Sequence, residues 1–184
     1  MTGRPVAALC GALSAELGRD PAGPRVAGLL SAYSREQADW SAFARFDAGG
    51  YTRNLVFKDG LYELLVVCWN PGQESPIHDH MGQRCWMAVL AGRIEELQYE
   101  RAPAGPPIER RALTFGRGRT AFIQDEIGLH LVRPASEGRA VSLHLYSRPF
   151  ATCRVFDPET GEERERALGY HSVAGALTAG ASAS

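Results

Sequence analysis

Tyr51-Thr-Arg-Asn-Leu-Val-Phe57 leads through Lys58 and the pair Asp59-Gly60 into Leu61-Tyr-Glu-Leu-Leu-Val-Val-Cys-Trp69. In the first run Tyr51, Arg53, Leu55 and Phe57 alternate onto one face, the period of an extended chain. Asp-Gly between two such runs is a hairpin signal, because both residues tolerate the backbone of a tight turn. Two antiparallel strands are therefore expected here. Toward the C-terminus the same grammar repeats, with strands predicted over Cys85–Leu90, Ile94–Tyr99, Arg111–Phe115, Ala121–Gln124, Leu129–Arg133 and Val141–Tyr146. Toward the N-terminus the period changes. Val6, Leu9, Cys10, Leu13 and Leu17 fall on one helical stripe, and the two prolines between Asp20 and Pro24 end it. Val26–Tyr33 and Asp39–Phe46 read as short helices, and Gly49-Gly50 as a turn. The fold class is mainly β, a sandwich or barrel with N-terminal helices.

The 184 residues carry 20 Lys+Arg and 21 Asp+Glu, a net charge of -1, with 45% hydrophobic and 22% charged residues. That is ordinary globular composition, and the length suits one domain with a real core. Near-neutral charge argues against a nucleic-acid binder. No apolar run approaches the roughly 18 residues of a membrane span, so no membrane partner is expected. Lys58 is the only lysine, and Ala and Gly are abundant; this looks like coding bias and carries no function. The start lacks a secretory pattern, and Glu16 and Asp20 count against a transit peptide. Cys10, Cys68, Cys85 and Cys153 are too few and too scattered for a disulfide scaffold, so a cytoplasmic chain with reduced thiols is expected. No exposed apolar pattern stands out, which points to a monomer.

The chemistry concentrates in Pro71-Gly-Gln-Glu-Ser-Pro-Ile-His-Asp-His80. On an extended chain His78 and His80 share a face. A bare His-x-His is more often two histidines in a polar loop than a metal site. His130, at a strand start after Gly128, changes the balance, since three imidazoles can close a facial set with open positions. In the usual non-haem iron oxygenase the third ligand is a carboxylate; here Asp79 points to the opposite face. A neutral set leaves a divalent metal its full charge and favours an anionic ligand such as a thiolate. Ser142, His144 and Tyr146 share the polar face of one strand, which is either a solvated surface or a cavity lining packed outward on a second sheet. Tyr and His there suit acid–base or oxygen-orienting work. Arg53, inside a barrel mouth, would call for an anion, and its planar fork fits a carboxylate; a surface ion pair is the commoner fate of a single Arg. Cys10 and Cys68 read as small buried hydrophobes, Trp40, Trp69 and Trp86 as core, and His171 as structural.

At this point the residues resemble a known family. Gly72-x5-His78-x-His80-x4-Cys85-x6-Gly92 resembles the first cupin motif, with Cys85 where a cupin normally places glutamate, and Gly128-Leu-His130 resembles the second motif's histidine. Tyr51-Thr-Arg-Asn-Leu55, His78-Asp-His80 with Cys85, Ile127-Gly-Leu-His130, Ser142-Leu-His-Leu-Tyr-Ser147 and Phe150-x-x-Cys153 together resemble cysteine dioxygenase, in order, from about Tyr51 to Gly161. The resemblance implies a small cupin-type, jelly-roll-like β-barrel that oxidises L-cysteine to cysteine sulfinate with O2 on one Fe(II) per chain. It implies His78, His80 and His130 as metal ligands, and Arg53 with Tyr51 as the carboxylate grip. It further implies a Cys85–Tyr146 thioether crosslink, His144 orienting Tyr146 with Ser142 extending that chain, and Cys153 near the pocket entrance. On this view 1–48 is a helical segment packed on the barrel, 49–170 the catalytic barrel, and 171–184 a flexible tail.

Three rivals stand beside it. An enzyme acting on 3-mercaptopropionate would typically carry glutamine in place of Arg53 and arginine in place of Cys153. Ser147-Arg148-Pro149 departs from the Ser-Pro-Pro of mammalian members, and Arg148 either adds a second cation to the pocket or, as is commoner for an arginine, points outward. A non-catalytic metal-binding cupin would not need Tyr146. A storage-type structural cupin would not need inward polar residues at all.

Overall fold

The structure is a computed structural model that describes residues 5–135 and 137–178. The chain opens with α1 (Pro5–Arg19), α2 (Val26–Glu36) and a 3-10 turn at Asp39–Phe43. Strands β1 (Thr52–Lys58), β2 (Tyr62–Trp69), β3 (Ile77–His78), β4 (Arg84–Ala91) and β5 (Arg93–Glu100) follow. Then come β6 (Ile108–Gly116), β7 (Thr120–Ile123), β8 (Leu129–Pro134), β9 (Ala140–Ser147) and β10 (Thr152–Phe156). The short strands β11 (Glu163–Ala167), β12 (Ser172–Val173) and β13 (Ala176–Leu177) end the described chain.

The strands divide into a seven-stranded sheet, β13-β12-β1-β2-β9-β4-β7, and a six-stranded sheet, β11-β10-β3-β8-β5-β6. The expected barrel is thus not closed. The two sheets face each other without strand pairing between them, as in a double-stranded β-helix. Between them lies a core that includes Leu65, Val67, Met87, Val89, Ile94, Ile123 and Val132. A second core lies on the outer face of the larger sheet. There Leu64, Val66, Leu143 and Leu145 pack against Leu9, Leu13 and Leu17 of α1 and Val26 and Leu30 of α2. β2 is consequently buried on both faces at every residue, which explains its near-continuous apolar run. Glu16 breaks the apolar stripe of α1 and is nevertheless buried, because its carboxylate receives Arg19 Nη2 at 2.6 Å and the Arg25 backbone N–H at 3.0 Å.

Strands β3, β10, β11, β12 and β13 escape the periodicity. Three of them are two residues long, and Glu163-Arg-Glu-Arg-Ala167 is exposed at every position, so nothing apolar marks a face. The stretch expected as a tail from residue 171 carries two short strands, β12 and β13. β12 runs parallel to β1, pairing Ser172 with Asn54, and β13 returns antiparallel to it. The reason is Asn54, fully buried, whose carbonyl oxygen accepts from Ser172 Oγ at 2.7 Å and whose amide nitrogen lies 3.1 Å from Val66 O and 3.2 Å from Arg45 O. Residues 179–184 of that tail lie outside the described residues. Replacing Asn54 by Ala strands these buried partners, and we expect a loss of about 3 kcal/mol in denaturant unfolding, with earlier proteolysis at 168–178.

Candidate metal centre and pocket

His78 is the last residue of β3 and pairs directly across from His130 on β8. Ser75 sets that register upstream: its N–H donates to Val132 O at 2.9 Å and its Oγ accepts from Val132 N–H at 3.0 Å. Gly128 sets it from the other side. Its φ is +146°, and a Cβ there would sit 2.4 Å from Tyr99 O, so only glycine lets β8 start this close to β5. His80 follows two residues after His78, and its backbone N–H donates to Asp125 Oδ1 at 2.8 Å. Asp125 Oδ2 also accepts from Gly82 N–H at 2.6 Å, tying the loop after His80 to the loop before β8.

The ligand atoms of His78, His80 and His130 all lie within 4.8 Å of one another. Two of their orientations are fixed from behind. His78 Nδ1 lies 2.9 Å from Pro76 O, and His130 Nδ1 lies 2.7 Å from the buried Glu96 carboxylate. The Pro76 carbonyl takes Nδ1–H of His78, so the neutral His78 ring carries its lone pair on Nε2, facing His130 Nε2. Those two nitrogens lie 3.2 Å apart. Both ring nitrogens of His80 are buried without a hydrogen-bond partner among the described residues. Burial, reinforced by repulsion from His130, pushes His78 down to about 3, and the same causes hold His80 well below the usual imidazole range. Neutral imidazoles with free nitrogens converging on one point form a donor set that suits Fe, Zn, Cu or Ni. Asp79, between the two histidines, turns away and takes the Arg154 backbone N–H at 2.9 Å and side-chain Nε at 2.5 Å.

The pocket above this cluster is lined by Tyr51, Arg53, His144, Tyr146, Phe150 and Cys153, among others. Tyr51 stacks on Trp69 with centroids 4.7 Å apart. A hydrogen-bonded chain runs behind the pocket wall. Trp69 Nε1 donates to Ser142 Oγ at 2.9 Å, Ser142 Oγ lies 2.9 Å from His144 Nε2, and His144 Nδ1 lies 3.3 Å from the Tyr146 hydroxyl. The polar face of β9 therefore lines a cavity. Its apolar face, Val141, Leu143 and Leu145, packs on the N-terminal helices and not on the second sheet. Cys85 on β4 pairs in register with Tyr146. Burial raises its thiol pKa, with the Glu96 charge adding to the effect, and burial likewise raises the Tyr146 phenol.

Arg148 stands apart from this group. It lines a separate groove with Leu17, Pro21 and Leu61, and its backbone N–H donates to Leu61 O at 2.7 Å. The further cation on the pocket lining is Arg166, which pairs across from Cys153 in β11. Sequence reasoning overlooked it because β11 carries no apolar period. It overlooked Glu96 as well, although a carboxylate in phase with the buried Ile94 was a readable signal of an inward charge. Trp69 was assigned to packing alone, and Glu63 and Asp125 received no role.

A double-stranded β-helix with three imidazoles converging inside it is a cupin with a candidate metal centre. Two solved structures share the fold: a Klebsiella pneumoniae protein with a double-stranded beta-helix domain (TM-score 0.51, 15% identity, covering 73% of this chain and 98% of that one) and a Thermus thermophilus protein (TM-score 0.50, 21% identity, covering 61% and 97%). Residues 20–159 match the family described as Cysteine dioxygenase type I. The chain is 38% identical over 157 residues to cysteine dioxygenase type 1 of Rattus norvegicus, covering 83% of this chain and 78% of that protein. It is 36% identical to the Homo sapiens enzyme of the same name, with the same coverage. The chain belongs to the cysteine dioxygenase type I family and is an enzyme of that family. Among the described residues no helix is long and apolar enough to cross a membrane.

Glu96 is the buried partner that orients His130. Glu96→Gln keeps the shape and removes the charge, so we expect metal affinity to fall by roughly 10- to 100-fold, read by titration of metal into the chelator-stripped protein. The circular dichroism of the folded state should not change.

Proposed function

We propose that the enzyme oxidises L-cysteine to L-cysteine sulfinic acid with O2 at a single Fe(II) held by His78, His80 and His130. The observation that carries this reading is a pocket with two unmet demands. His78 and His130 stand on its lining next to His80, whose two ring nitrogens have no partner, and Arg53, also on the lining, has its buried Nη1 without a partner among the described residues. A small molecule bearing a metal-binding thiol at one end and a carboxylate at the other answers both. Bound Fe(II) would supply the site where a thiol is held as thiolate and where O2 is activated. Both atoms of one O2 end on sulfur, so the thiol gains two oxygens and no outside reductant is needed.

The chain's own residues supply binding and orientation. Arg53 takes the substrate carboxylate through Nη1, and Tyr51, braced on Trp69, closes the pocket beside it. Cys153, buried, completes the lining near the mouth. With His144 neutral, Ser142 donates to His144 Nε2 and His144 Nδ1–H points at the Tyr146 oxygen, which leaves the phenol proton free for the pocket. Tyr146 then holds that proton where oxygen charge develops on the substrate. Formation of a Cys85–Tyr146 thioether removes one hydrogen from the thiol and one from the ring, with O2 as oxidant, and fixes the phenol. The four cysteines, all buried and free, support a reducing cytoplasm. A second reading, oxidation of 3-mercaptopropionate, draws on Arg166 as an additional cation on the lining.

O2 uptake by the Fe(II)-loaded protein with L-cysteine, 3-mercaptopropionate and cysteamine, with products weighed by mass spectrometry, tests the reading. Fast uptake with L-cysteine and a product heavier by two oxygens are expected. Preference for 3-mercaptopropionate selects the second reading, and no uptake with any thiol despite bound iron overturns both. Tyr146→Phe should lower kcat/KM by about 100-fold. Cys85→Ser should abolish any faster-migrating species that turnover generates on a denaturing gel.

A further inference from the structure

Arg53 is held on several sides. Its Nη2 lies 3.4 Å from Glu63 Oε1. Its Cζ stands 5.8 Å from the Tyr146 ring centre and 5.8 Å from that of Tyr170. Its Nη1 is buried without a hydrogen-bond partner among the described residues. Glu63 itself has no exposed surface. Its second oxygen accepts the Tyr170 hydroxyl and lies 3.9 Å from Lys58 Nζ, while Lys58 Nζ donates to the Tyr170 hydroxyl at 3.0 Å. Strand register produces this cluster, since Glu63 on β2 stands opposite Lys58 on β1 and Tyr146 on β9.

A fully buried carboxylate is costly unless it is paired, and a leucine in the same place would satisfy packing without that cost. Both Glu63 oxygens are committed: one to Arg53 Nη2, the other to the hydroxyl and ammonium that brace it. A guanidinium offers two edges for planar recognition. Arg53 lines the pocket, and with Nη2 held by Glu63 its Nη1 is left without a partner among the described residues.

We propose that Glu63, braced by Tyr170 and Lys58, is the positioning residue that makes this enzyme select thiols carrying a carboxylate, because it holds Arg53 with Nη1 presented to the pocket. The inference rests on the reading of Arg53 as the carboxylate grip. Without Glu63 the guanidinium is free to rotate, and affinity falls for ligands that use it. A thiol lacking a carboxylate makes no use of Arg53 and does not register the change.

Anaerobic calorimetric titration of the Fe(II)-loaded protein with L-cysteine and with cysteamine separates these effects from turnover. Glu63→Gln, close to the native shape, should weaken L-cysteine by about tenfold, the size of a lost charge-assisted bond. Cysteamine affinity should stay within about twofold of the wild-type value, the scatter of such comparisons. Tyr170→Phe, at a half-buried position that tolerates the change, should weaken L-cysteine by about threefold and leave cysteamine unchanged. Arg53→Gln is the control. If it lowers L-cysteine affinity while Glu63→Gln and Tyr170→Phe do not, the inference falls and the reading of Arg53 stands. If either Glu63→Gln or Tyr170→Phe weakens both ligands equally, the role is general structure and the inference also falls. If Arg53→Gln leaves L-cysteine affinity unchanged, the carboxylate grip falls and takes the inference with it.

Discussion

Strand β9 carries the constraint on which the rest of the structure depends. It lies inside the larger sheet, between β2 and β4, and seven of its eight residues are buried. One face is hydrocarbon and the other is Ser142, His144 and Tyr146. Polar side chains buried in that way must find partners, because an unmet hydroxyl or imidazole costs as much as a lost hydrogen bond. Trp69 on β2 starts the chain that satisfies them, and Tyr146 ends it beside the metal centre. The helices at the N-terminus are what make this possible. They cover the apolar face of β9, so the polar face is free to turn inward.

The same logic operates around the metal centre. Burial, with repulsion from neighbouring histidines, keeps His78 and His80 neutral. Carbonyl and carboxylate acceptors, from Pro76 and Glu96, fix the ring orientation of two of the three imidazoles. Asp125 places the backbone of the third by accepting its N–H, while that ring's nitrogens have no partner among the described residues. The outer partners thus come from three separate stretches of chain. Pro76 and Glu96 each convert a flexible side chain into a held one, which lowers the cost of ordering the site when a ligand binds.

Charge is arranged around the pocket in a compensated way. Arg53 faces Glu63, which in turn faces Tyr170 and Lys58. Arg154 faces Asp79, turning the carboxylate nearest the histidines away from them. In consequence the cluster is purely imidazole, although Asp79 stands between two of its histidines in the chain.

Several features are fixed by the sequence alone. Alternation in Tyr51–Phe57 and the Asp59-Gly60 turn define the first hairpin, and the helical stripe from Val6 to Leu17 defines α1, because both periods are local properties of the chain. The residues brought to the pocket, His78, His80, His130, Arg53, His144 and Tyr146, were legible because ligand spacing and polar alternation are also local. Tertiary structure alone decided the remainder. The barrel became two unjoined sheets because strand pairing, not strand existence, determines closure. Residues 171–178 joined the sheet because Asn54, more than a hundred positions away, offers Ser172 a partner. Glu63, Glu96, Asp125 and Arg166 acquired their places from cross-strand neighbours. Arg148, a plausible pocket cation by sequence position, lies in another groove for the same reason. Which face a side chain takes is written in the two-residue period; what meets it there depends on pairing between distant strands, and no local period encodes that.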